Sequence, residues 1–255
     1  MLESSNKVAI VTGASSGIGY ATSLALSKAG VRVAVGARRT DRLEELEKQI
    51  SKNNSNERAG EDIFIQKRLD VTSKPNCDSF VESVVRKWGK VDILINNAGL
   101  MPLSFFKNSR VEEWEQMIDV NIKGVLYCTS AAIPYMLDKK SGHIVNISSV
   151  AGRIVFAGGS VYCATKHAIT AFSEGLRTEL SPRYNIRVTC IEPGAVSTEL
   201  LETITDKSMT KFIEASKNME TLQSEDIANA ILYAIQAPSH INVNEILIRP
   251  TSQER

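Results

Sequence analysis

Tyr162 and Lys166 are the residues whose types and spacing most directly suggest chemistry, since they lie four positions apart in a stretch of helical character. Residues at this spacing share one face of a helix, so the ammonium group can lie beside the phenol and favour its ionised form. Such a pair can act as an acid–base catalyst. Because the same pair also occurs on many solvated helix faces, other parts of the chain must supply a reaction for it.

A serine and an asparagine can join this pair. Ser149 follows a predicted strand over residues 143–147, and glycines between it and Tyr162 mark a loop that can fold the serine back beside the tyrosine. Asn121 lies among apolar residues in a predicted helix over residues 111–137. Since a buried amide without partners is costly, we expect Asn121 to be hydrogen-bonded or functional.

A glycine-rich turn follows the first predicted strand, residues 7–12, and leads into a helix. Glycines let backbone N–H groups approach a pyrophosphate, and the helix N-terminus favours its charge. This order of elements predicts a dinucleotide site more strongly than a plain strand-to-helix turn, although the spacing Gly-x-x-x-Gly-x-Gly differs from the commoner fingerprint. The candidate cofactor residues in the turn are Gly13, Ser15, Ser16, Gly17, Ile18 and Gly19.

Two arginines follow the second predicted strand, residues 31–36. An acidic residue at this place would bind the ribose 2′-hydroxyl of NAD, whereas an arginine can pair with the 2′-phosphate of NADP. Arg38 and Arg39 are either simple solvated charges or phosphate ligands, and cations near a helix start are disfavoured without an anion. The sequence therefore favours NADP as the cofactor.

Two more predicted strands end in residues suited to a flat ligand, because small side chains and amides let it lie against the backbone. Asp70 could instead cap the helix that begins near Ser73. These candidates are Asp70 and Val71 after the third strand, residues 63–71, and Asn97, Ala98 and Gly99 after the fourth, residues 91–95.

The pattern of elements predicts one α/β domain over residues 1–255. Seven strand candidates, the last at residues 242–248, alternate with helices, which indicates a parallel sheet. A chain of 255 residues that is 43% hydrophobic and 23% charged suits one domain with a full core.

Composition argues against several kinds of partner. The chain has 30 Lys and Arg against 29 Asp and Glu, so neither a nucleic-acid surface nor a basic membrane face is indicated. No apolar stretch approaches the ~20 residues that span a bilayer. Neither a disulfide framework nor a metal site is indicated, and we expect a soluble, cytoplasmic protein in a reducing compartment. The expectations about disulfides, a metal site and a reducing compartment rest on the spacing of Cys77, Cys128, Cys163 and Cys190.

In their order along the chain, these motifs resemble those of the short-chain dehydrogenase/reductase family. The resemblance implies a doubly wound Rossmann fold with helices on both faces, and hydride transfer between NADP(H) and a small carbonyl or alcohol. Within the family, it is nearest to NADP-dependent reductases that act on 3-hydroxy acids, serine or small aldehydes and ketones. The motifs are residues 12–19, 96–99, Asn121, Ser149, Tyr162 with Lys166, and 193–194.

The resemblance also implies a role for each site residue. Tyr162 is the general acid in reduction, while Lys166 binds the nicotinamide ribose and lowers the pKa of the tyrosine. Ser149 hydrogen-bonds the substrate oxygen, and Asn121 holds a water in a proton relay. Further cofactor residues implied in this way are Pro193, Gly194, Val196 and Thr198.

The segment of residues 197–222 is predicted to be a substrate-loop insertion, because its apolar residues recur at roughly helical spacing. It is either a mobile lid or an ordinary covering helix pair. Residues 154–156 would add an apolar wall, so we expect a compact, largely apolar carbonyl substrate, with room for one polar group.

An active reductase and a catalytically idle dinucleotide-binding sensor or scaffold protein would share this fold. The full set of Asn, Ser, Tyr and Lys favours the reductase, because a binder without catalysis has no physical need for all four. The resemblance further implies a homotetramer, or a dimer, assembled through the helices predicted at residues 111–137 and 160–181.

Overall fold

The computed structural model describes residues 6–54 and 63–254, and its centre is a seven-stranded parallel sheet. The strand order is β3-β2-β1-β4-β5-β6-β7, so the direction of winding reverses between β1 and β4. Ligands of open α/β sheets bind at the carboxyl ends of the strands beside such a reversal. The strands are β1 (Val8–Thr12), β2 (Arg32–Ala37), β3 (Phe64–Arg68), β4 (Ile93–Asn96), β5 (Gly142–Ile147), β6 (Ile186–Pro193) and β7 (Glu245–Ile248).

Helices cover both faces of the sheet, as predicted for a doubly wound Rossmann fold. Successive residues of β1 alternate between two hydrophobic clusters: Val8 and Ile10 pack in one, and Ala9 and Val11 in the other. Such burial on both sides is typical of parallel sheets. The helices are α1 (Gly17–Lys28), α2 (Thr40–Asn54), α3 (Lys74–Trp88), α4 (Val111–Ile118), α5 (Gly124–Lys139), α6 (Ser160–Tyr184), α7 (Thr210–Lys217) and α8 (Ser224–Gln236).

The third strand ends earlier than predicted, at Arg68 instead of residue 71. The Asp70 carboxylate accepts hydrogen bonds from the backbone N–H and the hydroxyl of Thr72, at 3.0 and 2.7 Å, and so turns the chain. The alternative that Asp70 caps the next helix is wrong, because Ser73 is the N-cap of α3 and accepts from the backbone N–H of Asn76.

The predicted helix over residues 111–137 is not a single α-helix. A π-helical turn, Asp119–Lys123, lies between α4 and α5, and Asn121 is in the middle of it. Such turns insert one extra residue and are frequent at functional sites. The side chain of Asn121 therefore leaves the helix in a direction that a regular α-helical repeat would not give.

The C-terminal part of the chain also differs from the prediction. The last strand begins at Glu245 instead of residue 242. The reason is that the side-chain oxygen of Asn242 accepts the hydrogen bond from the Val188 N–H, at 3.0 Å. Helix α8 was not predicted individually. A capping box between Gln223 and Asp226 starts it, and it packs against α1.

Two cysteines that are distant in the sequence are neighbours in the fold. The Sγ atoms of Cys77 and Cys128 lie 3.6 Å apart, and both are buried free thiols between α3 and α5. Within residues 6–54 and 63–254, no group of three or more metal-ligating side chains forms a cluster. In the same ranges, no helix has the length and apolar character needed to cross a bilayer.

Candidate active site

Tyr162 and Lys166 lie in the first two turns of α6, where the helix passes the carboxyl end of β5. Both are buried, with 5% and 8% of their surface exposed. The Lys166 ammonium lies 5.7 Å from the centroid of the Tyr162 ring and donates a hydrogen bond to the Ile147 carbonyl at 2.9 Å. The two side chains therefore share one buried site, as their spacing predicts.

Burial shifts the pKa values of the two groups in opposite directions, because it disfavours the charged form of each. It raises the pKa of Tyr162 to about 12, although the nearby Ser149 hydroxyl works against this shift. It lowers the pKa of Lys166 to about 8. Burial dominates the pKa of Tyr162, and the Lys166 ammonium bonds to the Ile147 carbonyl, so the lowering of this pKa by Lys166 that the resemblance implies stays a prediction. At neutral pH the phenol therefore carries its proton.

Ser149 lies beside the tyrosine because a short 3₁₀ turn, Val150–Gly152, follows β5 and reverses the chain. The Ser149 side chain caps this turn, accepting from the Ala151 N–H at 3.1 Å and donating to the Pro193 carbonyl at 3.2 Å. The neighbouring Ser148 hydroxyl donates to the Lys166 carbonyl at 3.0 Å and fastens the end of β5 to α6.

Asn121 is paired, as expected for a buried amide. Its Oδ1 accepts from the Leu100 N–H at 2.9 Å, and its Nδ2 donates to the Leu100 carbonyl at 2.9 Å and to the Thr165 hydroxyl at 3.2 Å. The side chain thus ties the chain after β4 to α6. It does not line the cleft that the other three candidate catalytic residues share.

The glycine turn packs closely against the chain that follows β4. Gly13 has φ +67°, and a Cβ there would approach Ala98 Cα to 2.7 Å. A Cβ at Gly19 would approach the Asn97 amide nitrogen to 2.4 Å. Side chains larger than hydrogen would therefore force the two segments apart, so the glycines keep backbone exposed at the strand ends.

Thr12 belongs to the glycine motif, but the sequence assigns it no role in the site. Its hydroxyl accepts the N–H groups of Asn97 at 3.0 Å and Ala98 at 3.1 Å, joining the ends of β1 and β4. The Asn97 side chain in turn donates to the carbonyls of Thr12 and Gly13, at 3.0 and 3.1 Å. A threonine at a strand end carries no local signal of such a contact, because its partners are far away in the sequence.

The two predicted phosphate-binding arginines are both exposed at one end of the cleft, but their surroundings differ. Arg39 is paired with Glu199 and bonds to Ser15 and Ser16. Arg38 has no ion-pair partner among the described residues. A hydrogen bond from Thr72 lowers the pKa of Asp70, and the charge of Arg38 contributes to the same shift.

A cleft of about 1010 Å³ connects these groups. Every residue predicted to hold the cofactor lines it except Gly19, which lies behind the turn against Asn97. Among the predicted catalytic residues, Ser149, Tyr162 and Lys166 line it. Gln253 also lines the cleft and accepts the N–H of Ala195 at 2.8 Å, a contact that nothing in the polar C-terminal sequence indicates.

Residues 197–222 run from the arginine end of the cleft, where Glu199 pairs with Arg39, to a wall at its other end. The Ser197 N–H donates to the Leu222 carbonyl at 2.8 Å, which closes the base of the segment. Its far side is fastened to the chain after β4, where the Met101 N–H donates to the Thr203 hydroxyl at 2.9 Å. The apolar residues that line this end include Leu100, Met101, Ile154, Val155, Phe156, Leu200, Leu201 and Phe212.

A model of the short chain dehydrogenase family matches residues 7–209 of this sequence. The chain belongs to this family. An uncharacterised oxidoreductase of Staphylococcus saprophyticus is 48% identical to this short-chain dehydrogenase over 250 residues, covering 97% of each chain. The chain is thus an oxidoreductase of the short-chain dehydrogenase family.

Solved structures of the family have the same fold. Serine dehydrogenase in its closed form with NADP⁺ superimposes with a TM-score of 0.87 at 34% identity, over 97% of this chain and 96% of that one. A variant of actinorhodin polyketide ketoreductase with NADPH gives a TM-score of 0.84 at 26% identity, over 98% of each chain. The predicted family and doubly wound fold are confirmed.

Proposed function

We propose that this short-chain dehydrogenase is an NADP(H)-dependent reductase of small, uncharged carbonyl compounds. The observation that carries the proposal is a single cleft in which Ser149, Tyr162 and Lys166 lie beyond the glycine turn from Arg38. The end of the cleft at Arg38 can thus bind a phosphate group, and the end at Tyr162 can donate a proton. An apolar pocket adjoins the proton donor.

The residues present fit a nicotinamide dinucleotide. The close approach at Gly13 leaves backbone N–H groups of the turn open to a pyrophosphate at the start of α1. Arg38 has no ion-pair partner among the described residues, so it offers a cation for a 2′-phosphate. Its charge contributes to the lowered pKa of Asp70, which shows that the two side chains are near each other. The NADP⁺ and NADPH complexes of the two related structures support the same cofactor.

The protein residues supply binding and a proton. NADPH, when bound, would supply the hydride for the carbonyl carbon. Tyr162 would donate its phenolic proton to the carbonyl oxygen, and its raised pKa keeps that proton in place at neutral pH. The Ser149 hydroxyl would turn from the Pro193 carbonyl to the substrate oxygen. The Lys166 ammonium would hold the nicotinamide ribose and stabilise the tyrosinate.

Asn121 would act in this mechanism as a positioning residue. Its amide fixes the chain at Leu100, beside the pocket, against Thr165 on the catalytic helix. The water relay that the family resemblance implies for Asn121 remains a prediction.

Charge in the pocket indicates the class of substrate. Among the described residues that line the cleft, the lysines and arginines are Arg38, Arg39 and Lys166, and the two arginines are at the adenosine end. Arg110, near the pocket wall, donates to both Glu113 oxygens, at 2.8 and 2.6 Å. Among the described residues around the pocket, Lys166 would therefore be the one cation without an ion-pair partner that could meet a substrate carboxylate. Neutral aldehydes and ketones fit better than the 3-hydroxy acids or serine suggested by the resemblance.

Steady-state assays with matched substrates test this proposal. With NADPH, butanal should be reduced with a kcat/KM at least about tenfold above that of succinic semialdehyde, since an unpaired carboxylate costs more than about 1.4 kcal/mol. NADH should be the poorer cofactor. Preference for the semialdehyde would contradict the substrate class, and equal use of NADH would contradict the assignment of Arg38.

We further propose a single NADP-binding domain in which residues 197–222 are the substrate loop, and assembly as a homotetramer. Support for the assembly comes from two apolar residues on the helices named by the resemblance. Ile118 and Leu126, both in the predicted helix of residues 111–137, are 41% and 39% exposed, and a subunit that packs on this helix would bury them.

A further inference from the structure

Arg39 is held by a carboxylate that comes from the segment of residues 197–222. Its Nη2 atom lies 2.7 Å from Oε2 of Glu199. The same nitrogen donates to the hydroxyls of Ser16 at 2.8 Å and Ser15 at 3.1 Å. Three segments that are distant in the sequence therefore meet at the adenosine end of the cleft.

The surroundings of the Glu199 carboxylate have the chemistry of a phosphate site. A guanidinium group and a serine hydroxyl next to a helix N-terminus are donors that bind phosphate oxygens in proteins. Hydrogen bonds from Arg39 and Ser16 lower the pKa of Glu199, with the bond from Arg39 the larger cause. Glu199 is therefore an anion at neutral pH and makes contacts that a phosphate could make.

We propose that Glu199 is a specificity-determining residue, whose carboxylate competes with the adenosine 2′-phosphate of NADP for Arg39 and Ser16. This inference rests on the proposed function. Arg38 has no ion-pair partner in residues 6–54 or 63–254, and so it can make the first contact with the phosphate. The 2′-phosphate then displaces Glu199 from Arg39, whereas NAD carries no group that can do so.

The exchange is easy because the ion pair is solvated. The Arg39 and Glu199 side chains are 47% and 38% exposed, and pairs of this kind are weak. A phosphate monoester carries a charge near −2 and offers three oxygens, so it is the stronger partner for a guanidinium group.

The competition also links the cofactor site to the substrate wall. Glu199 begins a short 3₁₀ turn, Glu199–Thr203, which Thr198 caps. A Cβ built on Gly17 would lie 3.1 Å from the Thr198 methyl group, so the start of this turn packs on the glycine turn. Displacement of Glu199 removes the ionic tie between Arg39 and the wall formed by residues 197–222.

Calorimetric titration with two cofactor fragments tests the competition in the full chain. Adenosine 2′,5′-bisphosphate carries the 2′-phosphate, and 5′-AMP lacks it. Glu199→Gln should tighten the bisphosphate about two- to fivefold, the range expected for loss of an exposed ion pair, and should leave 5′-AMP unchanged. Glu214→Gln is the control for loss of a carboxylate, because Glu214 is exposed in the same segment, on α7, and does not line the cleft. It should leave both affinities as in the wild type.

Other outcomes overturn the proposal. Weaker or unchanged binding of the bisphosphate to Glu199→Gln would mean that Glu199 orients Arg39 or plays no part. Equal tightening of both fragments, or equal tightening by Glu214→Gln, would show that the effect comes only from the change in net charge. If wild-type protein binds neither fragment, the proposed function itself fails, which is a separate result from a failed competition.

Discussion

At the scale of single residues, burial decides the chemistry of the candidate site. The spacing of Tyr162 and Lys166 correctly predicts that they share a site, but it does not predict their pKa values. A sequence gives neither the loss of hydration around the phenol nor the hydrogen bond from the ammonium to Ile147. With its pKa raised to about 12, Tyr162 carries its proton at neutral pH, and donation of that proton in the reductive direction requires stabilisation of the tyrosinate.

Lys166 predicts a pH dependence of reduction. Because burial lowers its pKa to about 8, it is charged below this pH and loses its proton as the pH rises through it. Tyr162 remains protonated throughout this range, since its pKa is about 12. The kcat/KM for the carbonyl substrate at saturating NADPH should be level from about pH 6 to 7.5 and fall about tenfold per pH unit well above 8.

The control for this profile is the dissociation constant of NADPH, measured over the same pH range. This separates loss of cofactor binding from loss of tyrosinate stabilisation. A rate profile that stays level to about pH 10, or that rises, would refute the role given to the Lys166 ammonium.

At the scale of elements, an ion pair to a buried carboxylate holds the loop between Ser149 and Tyr162. Arg153 follows the 3₁₀ turn, and its Nε donates to both oxygens of Glu192 on β6, at 2.8 and 3.0 Å. The Glu192 side chain is only 1% exposed. Arg153 also bonds to Glu245 on β7, so one guanidinium group holds the turn after Ser149 to two strands.

Arg153→Met should destabilise the protein, because it leaves the buried Glu192 carboxylate without a charged partner and with only the Thr170 hydroxyl and the Cys190 thiol beside it. Since the Arg153 side chain is 40% exposed, the expected loss is about 1.5–3 kcal/mol in the free energy of unfolding, measured by urea denaturation. Glu245→Gln is the control at the exposed end of the same network, and should cost no more than about 1 kcal/mol. A loss below about 1 kcal/mol in Arg153→Met would show that the network does not hold the loop.

Element boundaries were predictable where the chain itself carries the signal. The glycines after β1 are a local pattern, and the turn into α1 lies where they predict it. The π-helical turn at Asn121 was not predictable, because its extra residue is stabilised by contacts with Leu100 and Thr165. The early end of β3 depends on a turn in which the Asp70 carboxylate accepts a hydrogen bond from the Thr72 N–H. Only the observed hydrogen bond distinguishes this turn from a helix cap.

At the scale of the whole molecule, the sequence predicts which residues form the cleft better than it predicts how they are paired. Strand order places the glycine turn, Asn97 and Ser149 at one edge of the sheet. The pair of Arg39 with Glu199, and the contacts of Thr12, join segments that no local pattern relates. The family motifs therefore indicate the chemistry, while packing determines how residues 197–222 meet the glycine turn and Arg39.

The central claim is that this cleft transfers a hydride with Tyr162 as the proton donor, and one comparison tests it most directly. Tyr162→Phe and Tyr184→Phe make the same chemical change on α6. Tyr162 is in the first turn of this helix, and Tyr184 is its last residue. NADPH oxidation with butanal and the dissociation constant of NADPH are measured for both variants.

We expect Tyr162→Phe to lower kcat by about 10²- to 10⁴-fold with NADPH binding little changed, and Tyr184→Phe to match the wild type. Unchanged turnover in Tyr162→Phe would contradict the mechanism. Tight NADPH binding without turnover of any carbonyl by the wild type would instead indicate the idle dinucleotide-binding protein.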